Sequence, residues 1–203
     1  MAVRAVFFDV GETLVDEERY WRLVASAAGV GPHVLWAALG VTIARGEDHP
    51  SLWRHLGIGR PTGAWDGIVY STDDFYPDAL ECLRRVRESG HLVGLAGNQN
   101  ARLEEWARGA SLPVDIVTGS ASLGVTKPDP AFFAGIAELA GLDPAEVAYV
   151  GDRADNDVRP ALAAGMIAFH LRRGPWGRLQ ATPAGAVAIE SLVELPAAIA
   201  SLG

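Results

Sequence analysis

Six short apolar runs recur along the 203-residue chain, with helical patterns between most of them. Apolar runs of this kind are typical of strands that are buried on both faces, as in a parallel sheet. Because strands and helices alternate, we predict an α/β fold with a doubly wound, mainly parallel sheet. The six runs span residues 3–8, 92–96, 114–117, 147–150, 166–169 and 186–189.

Proline and glycine mark the ends of several predicted helices. Asp129 followed by Pro130, and Asp143 followed by Pro144, are each typical of an N-cap with proline at the first helical position. Gly90 ends a further helical pattern. Ligands of doubly wound sheets bind beyond the carboxyl ends of the strands, so we expect functional residues directly after the predicted strands.

One long segment, residues 15–76, interrupts the alternation because it carries no strand pattern. We interpret it as a small helical cap inserted into a core domain formed by residues 1–14 and 77–203. The tryptophans of the segment are expected mostly to pack between its helices. The helices predicted within it span residues 16–28, 33–44 and 51–56, and its four tryptophans are Trp21, Trp36, Trp53 and Trp65.

Composition excludes several classes of protein. The formal net charge of −8 is unfavourable for a nucleic-acid partner, which usually requires a basic face. The single cysteine, Cys82, excludes a disulfide framework and any cysteine-based metal cluster. No stretch approaches about 18 uninterrupted apolar residues, so we expect no membrane span and a cytoplasmic protein.

Acidic residues follow two of the predicted strands. Asp9 comes directly after the first strand, and Asp152, Asp155 and Asp157 fall within six residues after the fourth. Asp152 and Asp157 would repel each other at close range unless a cation lies between them. Oxygen ligands suit Mg²⁺. The residues alone leave open a second interpretation, in which this stretch is a solvated acidic loop with a helix cap.

Four segments, taken in order, resemble the four motifs of the haloacid dehalogenase (HAD) superfamily. The resemblance covers essentially the whole chain, with residues 15–76 at the place of the family's C1 cap. It implies a HAD-like core of the Rossmann type. The segments are residues 8–14, 95–98, 124–130 and 151–157.

The resemblance implies a phosphatase mechanism. Asp9 would be the nucleophile, attacking phosphorus to form an aspartyl-phosphate. Lys127, the only lysine in the chain, would neutralise the negative charge of Asp9 and of the phosphoryl oxygens. The turn formed by Gly97 and Asn98 would present backbone N–H groups to the phosphoryl group.

The resemblance also implies a Mg²⁺ cofactor. Its ligands would be the carboxylate of Asp9, the backbone carbonyl of Gly11 and the carboxylate of Asp152. Asp157 would act either directly or through a water molecule. The implied substrate is a small phosphorylated metabolite, whereas the oligomeric state stays open.

Two glycines depart from the family pattern. Gly11 stands where the family's phosphatases usually carry a second Asp as general acid and base, a role typically worth about 10²–10⁴-fold in rate. Gly97 replaces the family's phosphate-binding Ser or Thr. We therefore expect an activity that is weak or depends on the leaving group. Glu12 is a candidate for the missing proton donor, and the competing interpretation is a solvent-facing turn residue.

Two alternatives to a phosphatase remain. Gly11 and Gly97 together would suit a catalytically silent HAD-like protein that binds a phosphorylated ligand or a partner. Gly11 would also suit a metal-independent 2-haloacid dehalogenase. The family's dehalogenases alter the last acidic loop, however, and this chain retains Asp152 and Asp157.

Overall fold

The structure is a computed structural model that describes residues 2–63 and 69–202. Six strands form one sheet, in which every neighbouring pair is parallel. The doubly wound parallel fold predicted from the apolar runs is therefore confirmed. The strands are β1 (Ala5–Phe8), β2 (Leu92–Gly97), β3 (Ile116–Gly119), β4 (Val147–Gly151), β5 (Ile167–Leu171) and β6 (Val187–Ile189).

Helices lie between the strands and in the segment after β1. The Asp143-Pro144 pair begins only a short 3₁₀ turn, Pro144–Glu146, whereas Asp129 caps a full helix by accepting a hydrogen bond from Ala131 N at 2.9 Å. The helices are α1 (Glu18–Ala27), α2 (Pro32–Ala44), α3 (Ser51–His55), α4 (Ala79–Glu88), α5 (Ala101–Gly109), α6 (Ser120–Leu123), α7 (Pro130–Ala140), α8 (Arg159–Ala163), α9 (Gly174–Leu179) and α10 (Leu195–Ala200).

The strand order is β3-β2-β1-β4-β5-β6. This order reverses direction between β1 and β4, and ligands of doubly wound sheets bind at such a reversal, beyond the carboxyl ends of the strands. Phe8, the last residue of β1, pairs with Val150 of β4. The residues that follow these two strands therefore emerge side by side at the edge where a ligand would bind.

The hydrophobic core lies on both faces of the sheet. Along β1, Val6 and Phe8 enter one buried cluster, whereas Ala5 and Phe7 enter the other. All four side chains are fully buried, as the period-two geometry of a strand requires when both faces are covered by helices.

The segment between β1 and α4 contributes no strand to the sheet across residues 15–63 and 69–76. Helices α1, α2 and α3 pack around their own cluster, which includes Trp21, Leu35 and Trp53. Trp36 lies partly buried beside it, and Trp65 falls outside the described residues. Trp176 of α9 packs against Leu39 and Ile43 of α2, which joins the segment to the rest of the molecule.

No single helix in the described ranges has the length and apolar character needed to cross a membrane. Helices α1 and α2 meet the criteria of length and composition only when they are taken together, and they are bent by 105° relative to each other.

Candidate active site

Three carboxylates from distant parts of the chain meet where the strand order reverses. Asp9 follows β1, whereas Asp152 and Asp157 lie in the loop and the π-helical turn after β4. Each residue offers an oxygen that lies within 4.8 Å of the oxygens of the other two. This spacing is short enough for all three to ligate one ion.

Lys127 lies between two of these carboxylates. Its Nζ donates to Asp9 Oδ1 at 2.7 Å and to Asp157 Oδ1 at 2.6 Å, and the side chain is almost completely buried. Burial by itself lowers the pKa of a lysine, but the carboxylates of Asp157 and Asp9 outweigh that effect and raise the pKa well above its usual value. The ammonium group is therefore a fixed positive charge beside Asp9.

Asn98 holds the Lys127 loop against the end of β2. Its Oδ1 accepts from Lys127 N at 2.7 Å, and its Nδ2 donates to Lys127 O at 3.0 Å. Both polar groups of the amide side chain are thus used on the backbone of the lysine. The side chain of Asn98 positions Lys127, a role that the sequence motif did not reveal.

The end of β2 lies close to Asp9. A Cβ added at Gly97 would lie 2.8 Å from Asp9 Oδ1, so Gly97 lets the carboxylate lie directly against the strand end. Burial, opposed by Lys127, raises the pKa of Asp9 to about 6.

Asp157 depends on a glycine for its position. A Cβ added at Gly151 would lie 2.4 Å from Asp157 Oδ2. That oxygen accepts a hydrogen bond from Arg153 N at 2.9 Å. Gly151 therefore leaves the space that the buried carboxylate of Asp157 fills.

Asp152 supplies the clearest test of whether a cation fits this site. Its side chain is 2% exposed, and Oδ2 has no hydrogen-bond partner among the described residues. Burial, together with the charges of Asp157 and Asp9, raises the pKa of Asp152 well above its usual value. A buried, unpaired carboxylate oxygen facing two other carboxylates is costly unless a cation is bound. The residues present therefore fit a divalent metal.

Glu17 fills the space beside Gly11. A Cβ added at Gly11 would lie 2.4 Å from Glu17 Oε1. Tyr70 Oη donates to Oε1 at 2.7 Å, and Trp21 Nε1 donates to Oε2 at 3.2 Å. Burial, followed by the charge of Glu12, raises the pKa of Glu17 to about 7. No sequence motif points to this residue.

Glu12 is buried, so the interpretation of this residue as a solvent-facing turn residue is wrong. Only 8% of the residue is exposed, and its backbone is in the left-handed region with a φ of 53°. Its Oε2 accepts from Tyr76 Oη at 2.7 Å, and its Oε1 accepts from Glu17 N at 3.2 Å. Burial raises the pKa of Glu12 to about 6.

One cavity of about 740 Å³, a volume in the range of small-molecule sites, is lined by most of these groups but not by Asp157, which is fully buried. The core contributes Asp9, Lys127 and Asp152 to its wall. The segment after β1 contributes Glu17 and several further residues, among them Tyr20, Trp21, His49, Arg60 and Tyr70. Asp9 and Asp152 therefore line a cavity that residues of the segment after β1 also line.

Fold and site define the class of this protein: a doubly wound α/β protein with a carboxylate–lysine centre where its strand order reverses. The chain belongs to the haloacid dehalogenase-like hydrolase family, whose model matches residues 3–165. The resemblance of the four sequence motifs to this family is thereby confirmed.

One relative and two solved structures illustrate what this chain is similar to. The chain is 36% identical over 201 residues to the glyceraldehyde 3-phosphate phosphatase of Methanopyrus kandleri, with 86% of each chain covered. The Bacillus subtilis protein YfnB, solved with magnesium bound, has a TM-score of 0.72 at 14% identity, covering 98% of this chain and 99% of that one. The HAD phosphatase from Thermococcus onnurineus has a TM-score of 0.63 at 21% identity, covering 97% and 98%. At these identities the two structures support the fold alone.

Proposed function

We propose that this protein is a Mg²⁺-dependent phosphatase that hydrolyses a small phosphorylated metabolite through an aspartyl-phosphate on Asp9. The observation that carries the proposal is the contact of Lys127 with both Asp9 and Asp157, beside the unpaired oxygen of Asp152. These contacts support the proposal, because they bring the carboxylate that would act as nucleophile next to a fixed cation and to a carboxylate oxygen that could bind a metal.

Four groups would hold the metal: the carboxylates of Asp9, Asp152 and Asp157 and the backbone carbonyl of Gly11. When bound, Mg²⁺ would neutralise charge on the phosphoryl oxygens and orient the phosphate. His170 would help to hold the backbone of Asp152 in place, because its Nε2 lies 3.0 Å from the backbone oxygen of Asp152.

The residues of the chain would carry the two chemical steps. A carboxylate oxygen of Asp9 forms a bond to phosphorus as the bond to the leaving oxygen breaks. Water then attacks phosphorus, inorganic phosphate leaves, and Asp9 regains its carboxylate. Lys127 neutralises the added negative charge throughout, and the backbone N–H groups of Gly97 and Asn98 bind the phosphoryl oxygens.

We propose that residues 15–76 act as a cap over a core formed by residues 1–14 and 77–203. The support is that the segment supplies its own hydrophobic cluster and one wall of the cavity. Substrate selection would then rest on cap residues such as His49 and Arg60. The relative at 36% identity makes glyceraldehyde 3-phosphate the first candidate substrate to test.

The first experiment measures hydrolysis of p-nitrophenyl phosphate with Mg²⁺, with EDTA and in an Asp9→Asn variant. We expect turnover that requires Mg²⁺ and falls at least about 10³-fold in Asp9→Asn, because the nucleophile is lost. The matched control is Asp73→Asn, an exposed aspartate in a 3₁₀ turn remote in sequence from the motifs, which should retain full activity.

The same assay separates the alternatives. Absence of turnover, extended to glyceraldehyde 3-phosphate and other phosphorylated metabolites, would favour a silent phospho-ligand-binding protein. Release of chloride from a 2-chloro acid in EDTA would favour a dehalogenase. Either result would contradict the proposed phosphatase.

A further inference from the structure

The inserted segment offers a replacement for the side chain that is missing at position 11. Glu17 lies at the N-cap of α1, six residues after Gly11. Its Oε1 lies 2.4 Å from the point that a Cβ at Gly11 would occupy. Within an aspartate the carboxylate oxygens lie at about the same distance, roughly 2.4 Å, from their own Cβ. Glu17 and an Asp at position 11 would therefore each hold a carboxylate oxygen at about the same distance from this point.

The contacts of Glu17 fix that placement. Tyr70 donates to one oxygen and Trp21 to the other, at 2.7 Å and 3.2 Å. A carboxylate has about four lone-pair sites, so each oxygen can accept a further hydrogen bond. Glu17 lines the same cavity as Asp9, so it lies on a wall that a substrate in the cavity would contact.

Glu12 is less suited to the same role. Its two oxygens accept from Tyr76 Oη and Glu17 N, and its side chain packs against Gly174, where an added Cβ would lie 2.6 Å from Glu12 Oε2. Glu12 accepts a hydrogen bond from the backbone of Glu17. The carboxylate of Glu17, by contrast, lies beside the position of the side chain that is absent at Gly11.

We propose that Glu17 is the acid–base residue of this enzyme, acting from the inserted segment in place of the side chain absent at position 11. This inference rests on the proposed phosphatase function. In the first step the Glu17 carboxyl gives its proton to the leaving oxygen as the P–O bond breaks, releasing an alcohol. In the second step the Glu17 carboxylate takes a proton from the water that attacks phosphorus, so Glu17 ends protonated and Asp9 ends as a free carboxylate.

The proposal changes one expectation drawn from the sequence. With Glu17 in place, strong dependence on the leaving group should appear in a Glu17→Gln variant and not in the natural protein. Gln is close in size, and its amide oxygen can accept from Trp21 Nε1 while its amide nitrogen donates to Tyr70 Oη, so the fold should be retained. A simple alkyl phosphate, such as glycerol 3-phosphate, needs the acid, whereas p-nitrophenyl phosphate needs little help in the first step.

The test compares the two substrates in Glu17→Gln by rapid-mixing kinetics. We expect kcat/KM for the alkyl phosphate to fall about 10²–10⁴-fold, the usual contribution of general acid catalysis. With p-nitrophenyl phosphate we expect a burst of one p-nitrophenolate per enzyme followed by slow turnover, because formation of the aspartyl-phosphate needs no acid but its hydrolysis lacks the base. The control Glu18→Gln, an exposed neighbour paired with Arg22, should behave as the natural protein.

A second variant guards against a purely structural effect. Gly11→Asp combined with Glu17→Ala restores the usual acid while removing the side chain that would collide with it, and we expect at least tenfold recovery of alkyl-phosphate turnover over Glu17→Ala.

Equal loss for both substrates without a burst, or unchanged rates in Glu17→Gln, would overturn the inference. If the natural protein hydrolyses neither substrate, or if Asp9→Asn retains turnover, it is the phosphatase proposal that fails.

Discussion

Asp152 carries an oxygen that nothing in the described residues satisfies. Its neighbours Asp157 and Asp9 are themselves carboxylates, so the site without metal holds more negative charge than Lys127 alone can balance. This imbalance predicts that a bound cation would stabilise the protein.

We predict opposite effects of Asp152→Asn with and without metal. In EDTA the variant should unfold at a higher temperature than the natural protein by about 2–4 °C, since a gain of about 1 kcal/mol has that effect in a chain of this size. In Mg²⁺ the natural protein should gain several degrees by ligand binding, and the variant should gain little. Differential scanning calorimetry at matched ionic strength measures both. A higher midpoint for the natural protein in EDTA would contradict the argument.

The sequence predicts those residues of the candidate site that lie in the motifs after the strands. Asp9, Lys127, Asp152 and Asp157 all lie in motifs whose order and spacing are visible in the chain, and the structure brings them together. Glu17 could not be selected in this way. Its relation to Gly11 depends on how the backbone turns between them, and a glutamate at the start of a helix is otherwise explained by its favourable interaction with the helix dipole.

At the scale of the elements, apolar runs located all six strands, with ends that differ by up to two residues. The predicted run at 114–117 becomes β3 at Ile116–Gly119, because Thr118 and Gly119 pair with Ala96 and Gly97 although neither continues an apolar run. Hydrogen bonding to a neighbouring strand decides where a strand ends, and this pairing is not visible in a local pattern.

Replacement of glycine by alanine should change the free energy of unfolding in opposite directions at two positions in different elements. A Cβ at Gly94 of β2 would lie 2.2 Å from a ring carbon of Phe7, which is buried on the neighbouring strand. A Cβ at Gly40 of α2 would meet no atom of the described residues within 4 Å apart from its chain neighbours and the backbone of its own helix. We expect Gly94→Ala to lower the free energy of unfolding by about 1–3 kcal/mol through overpacking. Gly40→Ala should raise it by up to about 1 kcal/mol through helix propensity. Urea denaturation measures both, and a neutral Gly94→Ala would show that Phe7 can move aside.

At the scale of the whole molecule, helix α2 of the segment after β1 meets helix α9 at Trp176. This residue of α9 is 5% exposed, packs on α2 and lies beneath the guanidinium of Arg153, whose Cζ is 3.7 Å from the ring centroid. Arg153 belongs to the acidic loop after β4. One side chain thus joins the segment to the loop that carries Asp152 and Asp157.

We predict that Trp176→Ala loosens this junction. Loss of a buried tryptophan typically costs about 3–5 kcal/mol, and the loss should fall on the docking of residues 15–76. Limited trypsin digestion should therefore cleave at the arginines of this segment faster than in the natural protein, and KM should rise more than kcat falls. The control is Leu179→Ala in the same helix, where the leucine is 58% exposed. Equal cleavage rates in both variants would refute the prediction.

The solitary lysine gives this chain an unusual analytical property. Amine-selective reagents have one side-chain target in the entire sequence, and that target is enclosed between two carboxylates. Acylation of this amine should be slow while the centre is intact and fast once it opens, so mass spectrometry can follow the integrity of the centre without an engineered label.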